Sequence, residues 1–373
     1  MPTADSDSPL PPPRLRDLLR AGVGIRSIAL TVLMLLGVAY TLYFARPVIL
    51  PVVLALILSL LLAPAVRLLH QKCRVPPSIG AGFVLAALLG TLGVGASFVV
   101  EPASAWMQTI PEKIPDIKAR LRILKQPFEK VRDASQKVNE LAEMRDAGEK
   151  PAVSIAPSET PFRSLMTQTP AFVANLFVMF ILLYFMLASG DLFLRKLVRM
   201  IPSFEDKRRA VEIAREIEDR ISLYLRTITV INVCLGTAVS FAAALVGMQN
   251  YVFWGLLAFV LNFIPYIGAL VGVAATLVVG LLSFESTAYA FLLPAIYIAL
   301  NTIEGNFITP LIMGRILTLN PVIIFIAIMF WGWIWGIAGA LLAVPLLAVL
   351  KITCDHLKPF HAIGEFIGGS ADA

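Results

Sequence analysis

The stretch YVFWGLLAFVLNFIPYIGALVGVAATLVVGLLS, residues 251–283, decides the fold. It is apolar along most of its length and broken near its middle by Asn262, Pro265, Tyr266 and Gly268. As one helix it would reach about 50 Å, too long for a bilayer core of about 30 Å. Its halves, at about 20 and 22 Å, fall short of full spans. A helical hairpin with its tip at residues 262–268 satisfies both lengths. A second stretch, PVIIFIAIMFWGWIWGIAGALLAVPLLAVL at 321–350, is interrupted around residues 331–336 and invites the same reading. Between the two lies a third polar interruption, EGNFITP at 304–310.

The rest of the chain agrees with a membrane setting. Of its 373 residues, 58% are hydrophobic and only 15% charged, and the mean hydropathy is +0.81. Spans in hydrocarbon must satisfy every backbone amide internally, and runs of roughly 20 apolar residues do so as helices. The expected fold class is therefore all-α, a polytopic helical membrane protein with five or more full spans. The net charge of +6 comes from basic residues dispersed in short segments beside apolar runs. That distribution follows the positive-inside rule and excludes a nucleic-acid-binding stripe. Cys73, Cys234 and Cys354 make no disulfide framework or zinc-like spacing, and His70, His356 and His361 lie outside the expected spans. No phosphate-binding glycine loop, nucleophile with base, or metalloprotease motif occurs, so the reading is a non-enzyme without cofactor or metal.

In chain order, residues 1–24 read as a proline- and arginine-containing disordered cytosolic tail. The N-terminal transmembrane helices occupy 25–100, with spans at 27–45, 49–66 and 78–100. The third span carries Gly80, Gly82, Gly90, Gly93 and Gly95, which reads as a face for close helix packing. Residues 101–164 form an extramembrane amphipathic segment. There Ile110, Ile114, Ile117, Leu121, Leu124, Phe128, Val131 and Val138 recur at steps of three and four. Such a seam serves pairing with other copies of the chain, lying on the membrane surface, or packing against its own domain. The transport core is expected at 165–350, including a basic amphipathic helix over 192–226 that leads directly into the next span. Residues 351–373 read as a cytosolic C-terminal tail.

Charge sets the expected sidedness. No Lys or Arg occurs from Thr227 to Gly314, so the loops at 248–250 and around Glu285 belong outside. Arg315, Lys351 and Lys358 place both ends of the second hairpin in the cytosol, as they do the chain termini. The two hairpins would then enter from opposite faces, the arrangement that inverted-repeat transporters place around a midplane site.

Polar groups in these interruptions are the candidate pathway residues. Asn262, Pro265, Tyr266 and Gly268 form the first set, because proline frees carbonyls and an amide and phenol add donors and acceptors at membrane depth. The competing view makes Asn262 a cap for the freed backbone. Asn301, Glu304, Asn306 and Pro310 form the second set, with Arg315 as the expected charge partner of Glu304, the lone acid between Glu285 and Asp355. Trp331, Trp333 and Trp335, two residues apart, are expected not to share a helical face; they read as an interfacial belt or a pocket wall.

The motifs Asn262-Phe263-Ile264-Pro265-Tyr266-Ile267-Gly268, Glu304-Gly305-Asn306-Phe307-Ile308-Thr309-Pro310 and Leu319-Asn320-Pro321 stand in a characteristic order. With Trp335-Gly336-Ile337-Ala338-Gly339 and Ala343-Val344-Pro345-Leu346, the chain resembles the autoinducer-2 exporter family of bacterial PerM-like permeases. The resemblance covers about 165–359. It implies a bacterial inner-membrane exporter of a small polar signal or metabolite, partnered by the lipid bilayer, the solute and a coupling ion, sodium or proton. Some relatives look like sodium/proton antiporters. The remaining alternative is a homo-oligomeric scaffold assembled through the 110–138 seam.

Overall fold

The structure is a computed structural model that describes residues 15–106, 161–190, 192–201, 203–313 and 319–369. Among these residues the chain is helical throughout, apart from one isolated bridge between Leu319 and Gly368. Five helices are long and apolar enough to cross a membrane. The tail before residue 15, the 110–138 seam and Arg315 lie outside the described residues.

Helix α1 (Leu15–Phe44) and α2 (Arg46–Cys73) are joined through Ala45 alone, as expected of the tight Arg46-Pro47 junction. Pro47 sits in the first turn of α2, where a missing N–H costs nothing. Helix α3 (Pro77–Trp106) and α4 (Pro161–Ser189) pack with α2 through Ala55, Val66, Ala81, Val84, Met179, Leu183 and Leu187. Only part of the glycine-rich face of α3 meets a neighbour: Gly80 lies against Val66 and Gly82 against Tyr184, whereas Gly90, Gly93 and Gly95 face open space. Their small size therefore serves no packing against the described residues.

Helix α5 (Leu192–Met200) is short and basic, and α6 (Phe204–Leu245) follows as one continuous helix of 42 residues. At about 1.5 Å per residue α6 is roughly 63 Å long, twice a bilayer core. Its charged first half and apolar second half are thus a single rod, and elements of both interrupted stretches pack along it.

The first interrupted stretch forms α7 (Tyr251–Leu261) and α8 (Ile267–Ser283). Phe253 and Trp254 near the start of α7 share a cluster with Val279 and Phe284 near the end of α8, so the two helices run antiparallel. That cluster includes Leu235, Val239, Ala242 and Ala243 from the C-terminal half of α6, and Trp106 of α3 meets Trp254 at 6.4 Å between ring centres. A short α9 (Thr287–Ala290) leads into α10 (Leu292–Ile303), a π-turn (Glu304–Ile308) and α11 (Thr309–Met313). Residues 304–310 therefore bend a helix and do not break it.

The second stretch forms α12 (Pro321–Trp335) and α13 (Ile337–His356), reversing at Gly336. Asn320 caps α12 by accepting from the Val322 N–H at 2.9 Å. This hairpin packs on α2 and on the N-terminal half of α6 through Ile57, Ile221, Tyr224, Leu225, Ile334, Trp335 and Ala348. A last helix, α14 (His361–Ile367), folds back so that the Asn320 N–H reaches the Ile367 carbonyl at 3.0 Å.

Candidate functional site

Each hairpin tip has a specific geometry that its residues dictate. At the first, Leu261 and Asn262 end α7, and the chain reverses through a three-residue turn in which the Ile267 N–H reaches the Pro265 carbonyl at 2.7 Å. Tyr266, at its centre, has φ 64° and ψ −52°. This is the rare and strained hand of γ-turn, and for a bulky residue it costs roughly 1–3 kcal/mol. Gly268 then returns so close to α7 that a Cβ there would lie 1.9 Å from the Leu261 carbonyl oxygen. The tip closes only because residue 268 has no side chain.

Asn262 does not cap the freed backbone. Its Nδ2 donates to Oδ1 of Asn232, at 2.8 Å, across to α6. Asn232 is completely buried, and its own Nδ2 has no hydrogen-bond partner among the described residues. Lone amides in apolar surroundings are costly unless paired, which makes this pair the polar centre of the first hairpin. Asn232 was not singled out by motif reading, although an Asn within the apolar run 227–247 is itself the signal that finds it.

Packing around the pair is set by glycine. A Cβ on Gly236 would lie 2.7 Å from the Gly255 carbonyl oxygen, and one on Gly255 would lie 2.5 Å from that of Gly236. Helices α6 and α7 thus meet backbone to backbone one turn from Asn232. Gly272 of α8 instead makes room for a side chain: a Cβ there would lie 2.2 Å from the Tyr297 hydroxyl of α10. Small residues permit this approach where lipid supplies no hydrophobic drive for helix association.

Depth along α6 locates the tip. Asn232 lies 13 residues before the end of α6 at Leu245, about 20 Å in rise. The first hairpin therefore enters from the C-terminal end of α6, and its tip lies about 20 Å down that helix, well within the length of a core of about 30 Å. The second hairpin has its base at the other end, where His356 Nε2 lies 3.0 Å from Glu216 Oε2. The two hairpins approach from opposite ends of one helix. They touch: Ile264 of the first tip is buried with Ala327, Ile328, Ala340, Ala343 and Leu347 of the second hairpin.

The second tip turns on Gly336, at φ 66° and ψ −144°, a conformation open essentially to glycine alone. Gly339 lets α13 pass the Trp331 carbonyl, to which a Cβ would approach within 1.9 Å. The tryptophans are a correction to the sequence reading. Trp331 and Trp335 are four apart, share a face and pack together at 4.6 Å, while Trp333 points outward and stacks on Tyr43 at 6.0 Å. Trp335 Nε1 donates to the Leu42 carbonyl of α1 at 3.2 Å.

In the third interruption the π-turn precedes Pro310. The Thr309 N–H bonds back five residues to the Glu304 carbonyl, widening the helix ahead of the proline ring, which would otherwise clash with a carbonyl of the preceding turn. Glu304 is partly buried, and its Oε1 accepts from the Thr309 hydroxyl. Asn301 Nδ2 donates to the Tyr297 carbonyl at 2.9 Å and Asn306 Nδ2 to that of Thr302 at 3.0 Å. Leu300 packs with the upper cluster of α6 and Met313 with the lower, so Glu304 lies at an intermediate depth. No hydrogen bond joins Glu304 to the Asn232–Asn262 pair among the described residues. Arg315, its expected partner, is outside them. Nor do the described residues contain a cluster of His, Cys, Asp and Glu that could hold a metal ion.

Comparison with known proteins is consistent with this architecture. The family profile described as AI-2E family transporter matches residues 30–358. The AI-2 transport protein TqsA of Escherichia coli K12 is 27% identical over 87% of this chain and 90% of its own. A putative transport protein of Haemophilus influenzae is 26% identical over 88% of this chain and 91% of its own. The putative transport protein YhhT of Escherichia coli K12 reaches 31% identity over 40% of this chain and 42% of its own.

Proposed function

The chain belongs to the AI-2E transporter family, a group of bacterial multi-pass membrane transport proteins, and on that premise we propose that it exports a small polar molecule by alternating access. The solute is of the autoinducer-2-like signal or metabolite class. Its pathway runs past the tip residues Asn262, Pro265, Tyr266 and Gly268 and along the segment bearing Asn301, Glu304, Asn306 and Pro310, with Arg315 retained as the charge partner expected from sequence. The observation that carries the reading is the Asn232–Asn262 pair, an amide contact far down α6 with one donor unpartnered among the described residues, a costly placement in apolar surroundings unless a solute or water meets it. Half-spanning hairpins from opposite ends of α6 support it, since that arrangement concentrates irregular backbone around a midplane site.

In this reading both termini are cytosolic, and the Asn250 and Glu285 connections face outside, as the absence of Lys and Arg from 227–314 favours. Self-association through the 101–164 segment belongs to the same proposal. Leu121→Asp with Leu124→Asp should dissociate the oligomer in detergent, and an unchanged mass would end that part.

A second reading, sodium/proton antiport, rests on Glu304, a partly buried carboxylate in a π-turn with a hydroxyl neighbour that can help hold a cation. Flux into proteoliposomes of a panel of small polar solutes, with and without a sodium or proton gradient, separates the two. Solute movement that Glu304→Gln reduces at least tenfold, with folding intact, supports a pathway role. Parent-level flux of both solute and ions in Glu304→Gln and Asn262→Ala would sink it.

A further inference from the structure

We propose that the cavity between α2, α5 and α6 is a binding site for the phosphodiester headgroup of an anionic phospholipid. The cavity has a volume of about 460 Å³ and is lined by Arg67, Arg195, Arg199, Arg215, Glu218 and Asp219 beside Val198 and Val211. An adjoining hollow of about 440 Å³ shares Val198, Val211 and Arg215 and adds Phe204 and Lys207. The two form one basic groove.

Charge bookkeeping inside the groove leaves cations over. Glu218 is engaged by Arg67 and Glu212 by Arg208. Arg195, Arg199 and Arg215 make no ion pair among the described residues, and Asp219 is the one unengaged acid lining the larger cavity. Guanidinium groups converging on a concave site suit the oxygens of a phosphate, which they contact in pairs. Four arginines against two carboxylates leave that cavity at +2, enough to hold a singly charged diester.

Position and flanks select a lipid over a soluble phosphate. Helix α4 leaves its apolar run at Ser189, and α5 begins three residues later. Arg67 follows the apolar part of α2, and Glu218 precedes that of α6. The groove therefore sits at headgroup level. Beside it Met200 is 80% and Phe204 84% exposed, apolar side chains suited to acyl chains and of no use to a free anion. Juxtamembrane cations near anionic leaflets each contribute about 1 kcal/mol, a factor of about five in affinity.

The test is native mass spectrometry of the full chain released from detergent and titrated with phosphatidylglycerol, phosphatidylcholine or soluble glycerol phosphate. Phosphatidylglycerol should be retained in preference to the other two. Arg199→Gln with Arg215→Gln should weaken it about twenty-five-fold, two factors of about five, while the charge-matched Arg46→Gln with Lys358→Gln should not. Asp219→Asn, which adds net positive charge without touching an arginine, should tighten binding severalfold and guards against a misfolded double variant. Equal retention of both lipids, equal competition by glycerol phosphate, or parent-level binding in Arg199→Gln with Arg215→Gln would overturn the proposal.

Discussion

The Asn232–Asn262 contact makes an asymmetric prediction. Asn232 is fully buried and its side chain accepts one hydrogen bond, from Asn262, while Asn262 is only half-buried at the hairpin tip. Asn262→Leu leaves the Asn232 amide with no partner, and an unsatisfied buried polar group costs about 1–3 kcal/mol. Asn232→Leu removes the buried amide itself and strands the half-buried Asn262 amide, which the proposed pathway would hydrate, so its cost should be about 1 kcal/mol or less. Leucine is close to asparagine in shape, and replacing both partners together should be nearly neutral. The cycle should thus return a coupling of about 2 kcal/mol, above the average of about 0.6 kcal/mol for hydrogen bonds between membrane helices. Equilibrium unfolding in bicelles, read by tryptophan emission, measures all four proteins. Equal costs for the two single variants, or a coupling under about 0.3 kcal/mol, would refute the assignment of the pair as the polar centre of the hairpin. Flux then separates structure from transport: the double variant should keep its stability and lose transport.

Glycine positions give sharper structural outcomes. Gly268→Ala must displace the Leu261 carbonyl, and Gly336→Ala must adopt a conformation that disfavours any side chain by roughly 1–3 kcal/mol, so each should lower the unfolding midpoint measurably. By contrast, Gly93→Ala on α3 meets open space and should leave the midpoint of the monomer unchanged. Cysteines introduced singly at Gln249, Glu285 and Lys358 should fall into two classes with a membrane-impermeant thiol reagent. The first two label from one side and the third from the other; labelling of positions 249 and 285 from opposite sides would eliminate the first hairpin.

Length and charge made the hairpins legible, because 33 consecutive residues cannot span a bilayer as one straight helix and their halves cannot span it separately. The π-turn was less so: Gly305 and Pro310 look like helix breakers in sequence, yet one widened turn absorbs both. The partner of Asn262 was not legible in the motif that contains Asn262, since it lies 30 residues earlier on another helix. The Gly236–Gly255 contact escaped for the same reason. A glycine inside an apolar run gives no sign of which backbone it faces, and those of α3 show that many face none. The tryptophan pair was readable and misread, because helical neighbours are three and four apart and Trp331 with Trp335 meets that rule.

The contacts also differ in kind, and this difference locates the surface on which the hairpins can move. The first hairpin is joined to α6 by backbone-to-backbone glycine contact and by an amide hydrogen bond, both directional and both lost on a shift of about 1 Å. Its contact with the second hairpin is of another sort: Ile264 lies among Ala327, Ile328, Ala343 and Leu347 with no hydrogen bond between them. Apolar surfaces of similar shape can slide at little cost, whereas a buried amide pair cannot. In the proposed alternating access, α6 with the first hairpin should therefore move as one body, and the boundary should pass through the Ile264 cluster and the contact of Ile221, Tyr224 and Leu225 with Ile334, Trp335 and Ala348, where the His356–Glu216 pair is the polar tie to be broken. Crosslinking Ile264→Cys to Ile328→Cys with a short bifunctional reagent should stop solute flux. Crosslinking Ser240→Cys to Tyr251→Cys, within the proposed body, should leave flux within about twofold of the parent. If the second crosslink abolishes flux and the first is tolerated, the rigid unit has been drawn on the wrong side of the first hairpin.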